Sequence, residues 1–443
     1  MKNYKIIFKI FLLFLGSKSL KSYSQTSYFP PISNFQTWDT LSPSSLGWCS
    51  DQIDSLYQFL QTENTKSFIL LKDGKIVLEK YFGNFTKDSV WYWASAGKTI
   101  TSFLVGQVQE VGLLSIDDTS SKYLGNGWTN CTLSQEEKIT IRNQLSMTSG
   151  LDDGVPDPYC TIDTCLNYLS DAGTRWAYHN APYTLLDDVL TNATGQNLNS
   201  LTNTNIKSRI GMNGLWFVSG YNNVFVSTAR SMARFGLLIQ NKGIWNTDTL
   251  MHDINYFNQM VNTSQNLNLS YGYLWWLNGK PNYMLPGFQF LFPGSYAPNA
   301  PSDMISGLGR NGQIVSLSNS QGLVFVRMGN APSSPSSDIA TVLCDQIWEK
   351  LQAIQCNTGL ADHQSTAPVD LFPNPASSKI YFKNLPSHFK NQVCYVYDVW
   401  GKCVSKSAVI ESLDVSLLEN GTYMILIIGE NGEFLKKKFS ISR

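Results

Sequence analysis

Apolar side chains at Ile53, Leu56, Tyr57 and Leu60 recur at the spacing of one helix face, and Ser50 stands where a cap belongs, so the pattern predicts a helix over residues 50–63. Two apolar runs follow, over residues 67–72 and 75–82, separated by Asp73-Gly74. That dipeptide tolerates the positive φ angles of a tight turn, so the runs predict a β-hairpin. Helical periodicity then dominates residues 95–265, interrupted by long loops. Strand signals return over residues 313–317 and 322–328, on either side of Ser318-Asn319-Ser320-Gln321, and an amphipathic helix follows over residues 337–354. Strands and helices at both ends of a helical middle predict an α+β fold: one mixed sheet flanked by helices, completed by distant segments, with a helical subdomain beside it.

The pattern changes after this region. Residues 357–366 lie in a small, polar stretch without periodicity and read as a linker between a domain over residues 26–356 and a tail over residues 367–443. In the tail, strand-like runs alternate with turns containing Gly and Asn, which predicts a small C-terminal β-sandwich. At the other end, Lys2 and Lys5 precede a short apolar run and then small polar residues, the layout of a secretory signal peptide over residues 1–25. That run is too short to span a bilayer, and no later segment reads as transmembrane.

Charge narrows the partners. Lys+Arg and Asp+Glu both number 33 in the 443-residue chain, so no net field favours nucleic acid. The four histidines fall at no metal-ligand spacing, and neither a metal nor an organic cofactor is expected. Eight cysteines in an exported chain can form disulfides. Cys160 with Cys165 is the expected local pair, and Cys394 with Cys403 flanks a predicted hairpin. Cys49, Cys131, Cys344 and Cys356 have no pairing readable from the sequence.

Candidate chemistry begins at Ser95-Ala96-Gly97-Lys98, at the start of a helix predicted to bury Ile100, Phe103, Leu104, Val108 and Val111 and to end at Gly112. Positions three apart share a helix face, so the Lys98 amine can reach the Ser95 hydroxyl. A serine nucleophile with a lysine base needs that arrangement, plus desolvation to lower the lysine pKa by roughly 3 units. Trp91, Tyr92 and Trp93 are the expected dry wall. Tyr178-His179-Asn180, ahead of an apolar helical run, supplies a tyrosine able to relay a proton. The glycine-rich Gly307-Leu308-Gly309-Arg310-Asn311-Gly312-Gln313 leads into a strand, where the backbone N–H of Gln313 is expected to complete an oxyanion hole with that of Ser95. Trp176, Tyr221, Trp275 and Trp276 are either acyl-pocket walls or core.

In this order, ASAGKTITS, AYHNAPYTLL and GLGRNGQIV, with ILLKDGKIVLEKYFG, LLSIDDTSSKYL, ITIRNQLSMTSGL and YGYLWWLN around them, make the chain resemble the serine β-lactamase and penicillin-recognising superfamily, in its class C-like, esterase-like branch. The resemblance implies a β-lactamase/transpeptidase-like fold in which Ser95 is acylated, Lys98 is its base and Tyr178 relays protons. It implies that Asn180 contacts the substrate amide or orients Lys98, that Arg310, Asn311 and Gly312 bind substrate, and that Gly312 and Gln313 lie on the edge strand closing the site. Where β-lactamases of this group carry Lys-Thr-Gly, this chain has Arg310-Asn311-Gly312, a form more like relatives that hydrolyse esters or linear amides.

The implied function is that of an exported serine hydrolase forming an acyl-enzyme with a small ester or amide. The alternatives are a D,D-peptidase or β-lactamase, and a surface binding protein that keeps the fold without turnover. The tail, through LFPNPASSKIYF, YDVWGKCV, LDVSLLENGTYMI and KKKFSI, resembles the C-terminal sorting domain of type IX secretion cargo in Bacteroidetes. That implies handling by the type IX machinery and a secreted or cell-surface destination.

Overall fold

A computed structural model describes residues 27–33, 37–333, 339–356, 369–399, 402–408, 412–428 and 434–443. The expected leader over residues 1–25 and the linker over residues 357–366 lie outside the described residues. The chain divides into two compact units, one holding Met1–Ser42 and Ser55–Glu349, the other Pro43–Asp54 and Lys350–Arg443.

The larger unit is built on a six-stranded sheet. From one edge its strands run Lys75–Tyr81, Thr65–Lys72, Leu323–Gly329, Gln313–Ser318, Ile305–Gly309 and Trp276–Leu277. The hairpin expected around Asp73-Gly74 is present, with φ of 49° and 87° at the two turn residues. Each pairing between neighbouring strands is antiparallel, so the expected mixed sheet is antiparallel in its own ladder, with one parallel bridge from Thr40 to Ile76 at the edge.

The central strands carry apolar side chains on both faces and are buried along their length, as in Leu323–Gly329. The helix Ala229–Gln240 packs on this sheet. The helix Thr341–Ile354 places Leu343, Ile347 and Trp348 in the core, and the Trp348 indole donates to Ser316 Oγ at 3.0 Å. A helical region beside the sheet includes Ser121–Leu124, Ile141–Leu145, Asn180–Thr184 and Leu186–Thr194. Trp128, Ile139, Leu151, Leu166, Ala181 and Leu185 form its own small core. A three-stranded sheet of Val90–Tyr92, Asn222–Thr228 and Leu215–Ser219 was not anticipated, because its first strand is three residues long and its partners lie more than a hundred residues away.

The smaller unit contains a three-stranded and a four-stranded sheet sharing one core of Ile380, Cys394, Val396, Ile425, Ile427 and Phe439, the expected sandwich. Cys49 and Cys356 form a disulfide within this unit. Cys394 and Cys403 do not pair, contrary to expectation. Strand register sets Cys403 opposite Tyr397 and Cys394 opposite Ser407, while alternation turns Cys394 into the core and leaves Cys403 exposed. Cys160 and Cys165 form the expected local disulfide of the larger unit.

Candidate active site

The nucleophile candidate sits on a single tight turn. Ala94–Gly97 is a 3-10 turn that runs directly into the helix Lys98–Glu110, so the helix begins three residues later than the sequence predicts. Ala94 adopts φ 47°, a left-handed conformation uncommon for a residue with a Cβ. The helix ends near Gly112 as expected, yet Val111 is 67% exposed rather than buried. Gly307 and Gly309 explain how the sheet comes so close to this turn. A Cβ on Gly309 would stand 2.4 Å from the Trp93 carbonyl oxygen and 3.0 Å from the Ala96 nitrogen, and one on Gly307 would stand 2.9 Å from Thr99 Cγ2. Only a strand bare of side chains can lie here.

Lys98 is 4% exposed. Its Nζ lies 2.9 Å from Ser95 Oγ and donates to Asn180 Oδ1 at 2.8 Å. The rings of Tyr183 and Tyr178 stand 4.2 and 5.2 Å from the same nitrogen. Burial draws the amine down from 10.5 to about 7, against an opposing pull from the Asp187 carboxylate. At neutral pH a large fraction of Lys98 is therefore uncharged. Its lone pair can face the serine while an N–H is held by Asn180.

Ser95 and Lys98 open onto a cavity of about 350 Å³. Tyr92, Tyr159, Asn180, Tyr183, Asn223 and Arg310 are among the side chains around it. The family described as Beta-lactamase matches residues 63–343, which include every group just named. The chain belongs to the beta-lactamase family. A second match, to the secretion system C-terminal sorting domain, covers residues 370–442.

An uncharacterized protein of Alkalihalophilus pseudofirmus is 24% identical to this beta-lactamase family chain over 308 residues, covering 61% of this chain and 84% of the relative. Among solved structures, a beta-lactamase candidate from Bacteroides dorei DSM 17855 aligns with TM-score 0.56 and 17% identity, covering 70% of this chain and 99% of that one. A family VIII carboxylesterase aligns with TM-score 0.53 and 13% identity over 72% of this chain and 98% of its own. A penicillin-binding protein homologue from Caulobacter crescentus gives TM-score 0.53 and 13% identity over 71% and 99%. At these identities the likeness is one of fold.

Several expected site residues of this beta-lactamase family chain fall elsewhere. Of the aromatic run, Tyr92 alone reaches the cavity, where its hydroxyl accepts a hydrogen bond from Asn311 Nδ2 at 2.8 Å. Trp93 is core, packed on Phe225 and Phe235, and Trp91 packs on Phe85 under the Lys66 ammonium. The dry wall beside Lys98 is Tyr178 and Tyr183 instead, the first in the stretch leading into the short helix Asn180–Thr184 and the second on that helix.

Asn180, Arg310 and Asn311 line the cavity, but Tyr178, Gly312 and Gln313 are not among its lining residues. The Gly312 carbonyl accepts from the Arg327 guanidinium at 2.8 Å. Gln313 is fully buried, with its amide shared with Gly329 in both directions. The chain turns away from the cavity through residues 310–312, so the strand that faces Ser95 is Ile305–Gly309, not the following one. Trp176, Trp275 and Trp276 are core at 1, 0 and 1% exposure, and Tyr221 is 40% exposed outside the cavity lining. His179 is buried, and desolvation pulls its pKa down to about 4, leaving it neutral at physiological pH.

Tyr183 and Asp187 were not singled out from the sequence. They stand three and seven positions after Asn180, a spacing that puts all three on one helical face.

Proposed function

We propose that this protein is an exported serine hydrolase that works through an acyl-enzyme on an ester or amide substrate. One observation carries the reading: a buried amine, with pKa about 7, lies 2.9 Å from a serine hydroxyl at the edge of an open cavity. Ser95 attacks the substrate carbonyl as Lys98 takes its proton, and Asn180 keeps the amine's lone pair aimed at the serine. Tyr178, whose ring is packed beside Lys98, passes a proton toward the leaving group. Charge on the carbonyl oxygen falls to the Ser95 N–H and to the backbone around Arg310, which takes the place first expected for Gln313. Arg310, exposed at the cavity lining, meets the polar end of the substrate. The sorting-domain match over residues 370–442 supports export by the type IX machinery to the medium or the cell surface.

A fluorophosphonate probe and a panel of p-nitrophenyl esters, short amides and nitrocefin test this reading. Labelling of the purified chain that disappears in Ser95→Ala, together with ester or amide turnover, is the expected result. Labelling that persists in Ser95→Ala, or no turnover across the panel, removes the reading. Nitrocefin turnover matching the best ester would move the substrate class to β-lactams.

A further inference from the structure

One buried carboxylate beside the site has no part in the steps above. Asp187 is 3% exposed, in the helix Leu186–Thr194 that packs against Lys98–Glu110. Thr101 Oγ1 donates to Asp187 Oδ1 at 3.2 Å, and Asn223 Nδ2 donates to Oδ2 at 2.9 Å. Both donors are neutral. Thr101 follows Lys98 on one face of the same helix, and Asn223 also lines the cavity. A carboxylate stranded among neutral groups is expensive to bury, and an apolar side chain would fill the volume without that cost. Its place, held by Thr101 one helical turn along from Lys98 and by Asn223 at the cavity wall, points to electrostatic use.

The groups around it leave Lys98 as its counterpart. The helix Lys98–Glu110 offers Lys98 at the near end, while Glu110 at the far end is paired with His252. The short helix Asn180–Thr184 contributes Tyr183, and the strand Asn222–Thr228 contributes the neutral Asn223. Lys122 and Tyr123, on the helix Ser121–Leu124 across the same helix, are engaged with Asp118. Asp188, on the next position, adds repulsion. Burial raises Asp187 above the usual carboxylate range, the hydrogen bonds from Asn223 and Thr101 draw it back down, and Lys98 draws it down further.

We propose that Asp187 is a positioning residue for acylation, the fixed counter-charge that Lys98 meets when it takes the Ser95 proton. The inference rests on the serine and lysine roles given above. In the step, the Ser95 O–H bond breaks and an N–H bond forms on Lys98, turning a neutral amine into an ammonium with Asp187 in its ionised form. As the serine oxygen bonds to the acyl carbon, that proton goes on to the leaving group and Lys98 is neutral again. An ionised Asp187 stabilises the ammonium, so it also holds the proton on Lys98 to higher pH than the dry site alone would.

The test measures fluorophosphonate labelling rate and kcat/KM for a p-nitrophenyl ester from about pH 5 to about pH 9, on the same chain with and without Asp187→Asn. The rising limb is expected to move toward acid by roughly half a unit or more, a relative gain of about threefold on the slope, with a lower plateau. A purely structural role lowers the plateau and leaves the limb in place, and that result overturns the proposal. Thr101→Val, which removes one donor to the carboxylate while keeping its shape, is expected to move the limb the same way by less. If Asp187→Asn does not fold, an unmoved limb in Thr101→Val overturns the proposal by itself. Failure of the underlying reading looks different: wild type unlabelled, or Ser95→Ala still labelled.

Discussion

Replacing Lys98 by methionine should make the protein more stable and inactive. The side chain is 4% exposed, and its pKa is drawn from 10.5 to about 7, which at 1.36 kcal/mol per unit corresponds to ~5 kcal/mol of penalty on the charged form. The folded-state pKa lies below the unfolded one, so between those values the unfolded chain binds more protons and stability rises with pH. The penalty is full below about pH 7 and fades as pH rises toward 10.5. Methionine keeps the unbranched stem and cannot be charged. Against this gain stand the lost hydrogen bond to Asn180 Oδ1, whose buried oxygen would be left unpaired at about 1–3 kcal/mol, and the contact with the Tyr183 ring.

The net expectation is a gain of about 1–3 kcal/mol near pH 7 that shrinks to zero or reverses near pH 10. Urea unfolding followed by tryptophan fluorescence reads it, since every tryptophan except Trp48 and Trp400 belongs to the larger unit. A Lys98→Met protein less stable than wild type at pH 7, or a difference that does not change between the two pH values, would refute the reasoning that burial has neutralised this amine.

Other outcomes follow from the same geometry. Tyr178→Phe keeps the ring that stacks on Trp276 at 5.9 Å, so stability should stay within about 1 kcal/mol while kcat/KM for esters falls roughly 10²–10⁴-fold; unchanged kinetics would remove the tyrosine from the proton path. Gly309→Ala places a methyl 2.4 Å from the Trp93 carbonyl oxygen, which should cost about 1–3 kcal/mol in a melt and displace the serine turn enough to suppress labelling; a fully active, equally stable variant would show that the strand has room to spare.

Much of this protein was legible in one dimension because the deciding forces are local. The Asp73-Gly74 turn, the alternation of the tail strands and the Ser95 to Lys98 spacing each follow from a few neighbouring residues, and the structure has all three. The motif order also sufficed for the family, which the match over residues 63–343 shows. Tertiary structure decided what depends on contact between distant segments. Tyr178 and Tyr183, not the adjacent aromatic run, dry the lysine, because the segment some eighty residues away that leads into and forms the short helix Asn180–Thr184 packs on the amine. Gly309, not Gln313, approaches the serine turn, because strand register puts residues 310–312 at the bend and turns Gln313 inward. Asp187 reads in the sequence as one more helical acid; only packing against the helix of Lys98 takes it out of water and couples it to the amine. Bonding pattern and spacing are written along the chain, whereas the dielectric around a charge is set by whatever the fold brings to cover it.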